Sequence, residues 1–134
     1  MILADTNVVF SFLVDNDWSE AAGALHRRDP EWRTESHALV ELTNVFARYV
    51  RAHFMTEEES FLTLARAEML FRDGVLRVGH RDALRMALDR QISSYDARFL
   101  VAARELVVKL VTEDAKLRRA APKLTQSLEE ALAD

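Results

Sequence analysis

"MILADTNVVF", residues 1–10, sets an aspartate between two apolar runs, and the reading of that one charge decides what kind of chain this is. Ile2, Leu3 and Ala4 make a short aliphatic strand, and Val8, Val9, Phe10, Phe12, Leu13 and Val14 continue as an amphipathic or buried helix. Asp5 then stands where the strand ends. In an open α/β sheet, ligands bind at the carboxyl ends of the strands. The same position also suits a helix cap, because Asp, Thr and Asn oxygens accept from the free N–H groups of a first turn. The stretch by itself leaves both readings open.

Moving outward, residues 17–29 predict a second helix, with Trp18, Ala21, Ala22 and Leu25 at i, i+3, i+4, i+7 spacing. Pro30 ends it, and "EWRTE" (31–35) is a short strand. Residues 36–54 carry one helical stripe of Ala38, Leu42, Val45, Phe46, Tyr49 and His53, with Ser36 expected as the N-cap. A capping box from Thr56 to Glu59 opens the next helix, which Gly74 stops. "VLRVG" (75–79) is a brief strand, 80–91 a helix, and 93–107 another, with Ser94 expected to cap it. "VKLVTED" (108–114) is a buried strand running into a helix that Pro122 halts; beyond it, "SLEEALA" is weakly helical. Short aliphatic strands separated by helices predict an α/β class, a parallel sheet covered on both faces, with helix in excess.

With 134 residues, three glycines, two prolines and no repeat or linker, the chain is expected to be a single domain over residues 1–134. There is no cysteine, so disulfides, thiolate nucleophiles, iron–sulfur clusters and Cys-based zinc sites are excluded. No signal peptide or long apolar run is visible, and a cytoplasmic protein is expected. The formal net charge of −4 does not of itself suggest a nucleic-acid partner, although acids that bind divalent cations reverse the local sign.

Four acids fall where a parallel sheet would gather them. Asp5 follows the first strand and Asp114 the last; Asp96 opens the helix that leads into that last strand, and Glu41 lies near the start of the helix after the second strand. Each alone has a plain structural role, since a helix N-terminus favours carboxylates. Together they would repel and raise one another's pKa unless a cation compensated.

"LADTNVV" (3–9), "ALVELTNVFAR" (38–48), "SSYDARFLVAARE" (93–105) and "KLVTEDAKL" (109–117), in that order, resemble a PIN domain, and more narrowly the VapC-type ribonuclease toxins of toxin–antitoxin pairs. The likeness runs from Ile2 to about Leu117. It implies an α/β/α sandwich and an acidic quartet of Asp5, Glu41, Asp96 and Asp114, with Glu35 as the fallback for Glu41. Thr112 and either Asn7 or Thr6 would support the site. It also implies a metal-dependent endoribonuclease, a homodimer and a small cognate antitoxin.

Hard carboxylate oxygens without thiolate suit Mg²⁺ or Mn²⁺. Asp5, Asp96 and Asp114 are expected to contact metal, and Glu41 to position or deprotonate the attacking water. Arg48, Arg98 and Lys116 are the leading cations for the RNA strand, with Arg51, Arg118 and Arg119 behind them. His37 and Glu41 stand at i, i+4, but no third nitrogen or sulfur ligand follows at zinc-site spacing. The helix from Thr56 to Arg72 is apolar on more than one side, as a sandwiched helix or a docking face would be. The rival reading is an inert PIN-like or flavodoxin-like scaffold that binds RNA or protein, its acids serving only as caps. A phospho-acceptor receiver domain is excluded, because only Asp5, rather than an acidic pair, ends the first strand.

Overall fold

The computed structural model describes residues 1–134. Its order is β1 (Ile2–Ala4), α1 (Thr6–Leu13), α2 (Ser19–Arg28), β2 (Trp32–Glu35), α3 (His37–Arg51), α4 (Glu57–Phe71), β3 (Val75–Leu76), α5 (His80–Arg90), α6 (Ser94–Leu106), β4 (Leu110–Val111), α7 (Ala115–Ala120), β5 (Thr125–Gln126) and α8 (Leu128–Ala133). The five strands form one sheet in the order β3-β2-β1-β4-β5, every neighbouring pair parallel. Helices flank the sheet as an α/β/α sandwich. No helix is long and apolar enough to cross a membrane.

Strand alternation divides the core in two. Leu3 and its register partner Leu110 point into a cluster built with α5 and α6, including Ala83, Met86, Leu100 and Ala103. Ala4 and its partner Val111 point the other way, onto Val8, Val9, Leu25, Leu42, Phe46 and Phe71. At Gly74 an added Cβ would lie 2.5 Å from the Trp32 carbonyl oxygen, so only glycine lets the chain turn from α4 into β3 against β2.

Three local expectations are corrected. The fifth strand, Thr125–Gln126, is missing from the sequence reading; it is two polar residues long, and tertiary pairing with β4 rather than pattern makes it a strand. Ser36 is helical and caps nothing with its side chain: its hydroxyl donates to Glu35 at 3.0 Å, and the His37 N–H donates to the same carboxylate at 2.7 Å. Ser93, not Ser94, caps α6 through the Asp96 N–H at 3.0 Å. The Thr56–Glu59 capping box of α4 is present in both directions.

Candidate metal-dependent nuclease site

Because β1 sits between β2 and β4, the chain reverses its direction of travel across the sheet at the β1–β4 pair. That is the topological switch point where open α/β sheets leave a crevice. Asp5 follows β1 and caps α1, its Oδ1 accepting from the Val8 N–H at 2.9 Å. Asp114 follows β4 and caps α7 in the same way, accepting from Leu117 at 3.1 Å. The capping role and the site role thus fall on the same residues. Thr112, fully buried, ties them together: its hydroxyl donates to Asp5 Oδ2 and accepts the Asp114 N–H at 3.1 Å.

Charge repulsion traces the convergence of all four acids. The Asp5 carboxyl is raised from 3.8 to about 6, chiefly by burial and in smaller part by Asp114 and Glu41, against the Thr112 and Val8 hydrogen bonds that lower it. Glu41 is raised by burial, with Asp96 and Glu35 adding to the rise and Thr6 and His37 opposing it. Asp96 is raised by burial and by Asp114, against Ser93 and Lys116. So Asp5 feels Asp114 and Glu41, Glu41 feels Asp96, and Asp96 feels Asp114: the four form a closed ring of like charges.

The supporting residues fall into three kinds. Thr6 is buried, and its hydroxyl satisfies no hydrogen bond by distance and angle, although it lies near enough to the Glu41 carboxyl to oppose that group's rise. Asn7 is exposed and lines a cleft of about 340 Å³ with Asp114, Ser11, Asn16 and Trp18. Lys116, exposed on the first turn of α7, is the one cation whose charge reaches Asp96.

Arg98 departs from the sequence expectation of an RNA contact. Its Nε lies 3.1 Å from both oxygens of the fully buried Glu35 carboxylate, and Nη2 donates to the Val78 carbonyl at 2.9 Å. It is a scaffold cation, because an ion that deep must be paired. The same pair removes Glu35 from contention as the fourth acid. Arg118 is likewise held, donating to the Thr112 carbonyl at 3.0 Å and lying 3.6 Å from Glu113. Arg48 is exposed on α3 and makes no ion pair, while Arg51 lies away from the acids beside Phe61 and Leu64.

The donor set suits a hard divalent ion in kind: carboxylates and hydroxyls, with no arginine or lysine paired to any of the four acids. As the side chains stand, no three His, Asp or Glu groups are close enough to hold one ion. A Mg²⁺-type ion commonly keeps several waters and touches only one or two carboxylates, so this spacing is compatible with ligation partly through water.

The family model of the PIN domain matches residues 2–123. The chain belongs to the PIN-domain family. Among solved structures, this PIN domain is similar to PAE2754 from Pyrobaculum aerophilum, with a TM-score of 0.79 and 19% identity, covering 98% of this chain and 86% of that one. It is also similar to FitAcB from Neisseria gonorrhoeae, with a TM-score of 0.69 and 18% identity over 95% of this chain and 96% of that one. At such identities the likeness is one of fold. No curated protein matches the chain.

Proposed function

We propose that this PIN domain, a single domain over residues 1–134, is a Mg²⁺- or Mn²⁺-dependent endoribonuclease. In the same proposal it acts in the cytoplasm as the toxin of a toxin–antitoxin pair. One observation carries the nuclease reading: four carboxylates crowd the switch point of the sheet with no arginine or lysine paired to any of them. Such crowding costs stability and persists where a cation or a reaction uses it.

Asp5, Asp96 and Asp114 would hold the ion, with Thr112 fixing the orientation of the first and last. When bound, the ion supplies Lewis acidity toward water and the scissile phosphate. Glu41, half-buried and already raised in pKa, is suited to take a proton from the attacking water. Lys116 and Arg48 would meet the strand's phosphates, with Asn7 facing the cleft beside Asp114.

The toxin reading rests on the sequence likeness to VapC-type ribonucleases and on exposed apolar surface. On α4, Thr63, Ala67 and Phe71 are buried, while Phe61, Leu62 and Met69 are 71%, 59% and 68% exposed. A cognate antitoxin or a second copy would cover such a face. The rival scaffold reading draws on the side chains as they stand, among which no three acids or histidines form a ready ligand set.

Calorimetric titration of Mn²⁺ into the purified wild type and Asp96→Asn decides between them without any guess at the RNA. Saturable binding that weakens at least tenfold in the variant, together with RNA cleavage abolished by EDTA, is expected. Equal heats from both proteins, or none from a folded wild type, would overturn the nuclease.

A further inference from the structure

Beside the acids lies a second groove, of about 390 Å³, whose chemistry differs from theirs. Its walls come from the start of α3, the β3–α5 turn and the first turn of α6, with His37, Arg77, His80, Ser94 and Tyr95 around it and Arg98 among them. It adjoins the carboxylates directly: His37 Nε2 is 3.8 Å from Glu41 Oε1, and Tyr95 precedes Asp96.

Three features fit an unpaired nucleotide. Tyr95 stacks on His37 with ring centroids 4.8 Å apart and planes 8° from parallel, while the residue remains 60% exposed, so one ring face is fixed and the other is open. A pre-stacked aromatic is a platform for a base at little entropic cost. Arg77 is exposed and engages no carboxylate and no carbonyl, which leaves its guanidinium for a phosphate. Arg98 Nη1 lies 3.3 Å from His80 Nδ1; a guanidinium can only donate, so Nδ1 is the acceptor in this contact and Nε2 is left to face the groove's ligand. Arg98 thus orients His80 while itself being held by Glu35.

We infer that this groove binds an unpaired nucleotide of single-stranded RNA next to the cleavage position, with the base on the open face of Tyr95 and a phosphate on Arg77. The inference rests on the nuclease reading and deepens it by placing a nucleotide subsite on Tyr95 and Arg77 beside the acids. A base inside a helix must first give up its pairing and stacking before it can stack on Tyr95.

The test is fluorescence anisotropy in EDTA, where nothing is cleaved, with labelled decauridine alone and annealed to decaadenosine. The wild type is expected to bind the single strand and to bind the duplex at least tenfold more weakly. Tyr95→Ala should weaken single-strand binding about tenfold, within the range for losing one stacked base, and Tyr95→Phe should restore it. Arg77→Ala should lower the slope of log Kd against log salt by about 0.7, as one lost phosphate contact on a single strand predicts. Arg104→Ala, at the far end of α6, should change neither. No wild-type binding, equal binding of the duplex, or wild-type affinity in both Tyr95→Ala and Arg77→Ala would overturn the groove.

Parallel cleavage assays with Mn²⁺ separate the two proposals. Tyr95-dependent binding without metal-dependent cleavage would keep the groove and sink the nuclease; the converse would keep the nuclease and sink the groove.

Discussion

Glu35 ends β2 and Asp5 follows β1, the neighbouring strand, and both are shut away from water, at 0% and 6% exposure. Their company is opposite. Glu35 receives the Arg98 guanidinium, the Ser36 hydroxyl and the His37 N–H. Asp5 receives one hydroxyl and one amide, and its charged neighbours are other acids. A buried carboxylate with its own cation is balanced within the scaffold; one that faces only like charges is left with a repulsion that the proposed metal ion would relieve. Two acids at the ends of adjacent strands therefore sit in opposite surroundings, and α6 sets much of the difference, since it sends Arg98 to Glu35 and no cation to Asp5.

The largest way to break this contrast is Arg98→Met. It strands Glu35 without a counter-charge and should cost about 3–5 kcal/mol in urea unfolding, largely recovered by adding Glu35→Gln. A single variant as stable as the wild type would mean that Glu35 does not need its arginine.

Asp5 should behave in the opposite sense. Its carboxyl goes from 3.8 unfolded to about 6 folded, so between these values the native state holds more protons than the unfolded one. Metal-free protein should then lose stability as pH rises from about 4 to 6, by on the order of 2–3 kcal/mol, with the full penalty present above pH 6. Glu41 and Asp96, both raised, act in the same direction. Asp5→Asn should flatten most of that slope. Mn²⁺ should reverse it, since the ion competes with protons for the same oxygens. A wild type whose urea midpoint rises from pH 4.5 to pH 7 in EDTA would contradict the crowding.

Ser36→Ala sharpens the contrast at a smaller scale. It removes one hydrogen bond to the Glu35 carboxylate and no helix cap, and should cost about 1 kcal/mol.

Much of this was legible before any coordinates. The aliphatic triplet before Asp5, the "KLVT" run before Asp114 and the helices between them predict the sheet, and the order of acids predicts which edge they share. For Asp5 the fold shows the cap, made by one carboxylate oxygen while the other accepts from Thr112, and the proposed ligand role does not require giving up that cap. What stayed hidden was long-range. Arg98 and Glu35 are 63 residues apart, and no helical wheel shows that an arginine two residues from a catalytic candidate pairs with the end of β2 instead. The two polar residues of β5 carry no strand pattern and are ordered by β4 alone. The Tyr95–His37 stack joins two helices far apart in sequence, so the basic groove had no local signature.

The sheet order has a consequence for incomplete chains. β1 holds the middle of the sheet, yet the strand that completes the switch point beside it is β4, and the Asp5–Thr112 bond spans 107 residues. Closing a loop of that length carries an entropy cost that the local contacts of a helix do not. Any fragment cut before Leu110 has lost Thr112 and Asp114 and cannot assemble the ring at all. On the proposed nuclease reading, activity would thereby be confined to the finished fold: the chain in pieces would lack the site, and only the closed sheet would carry it.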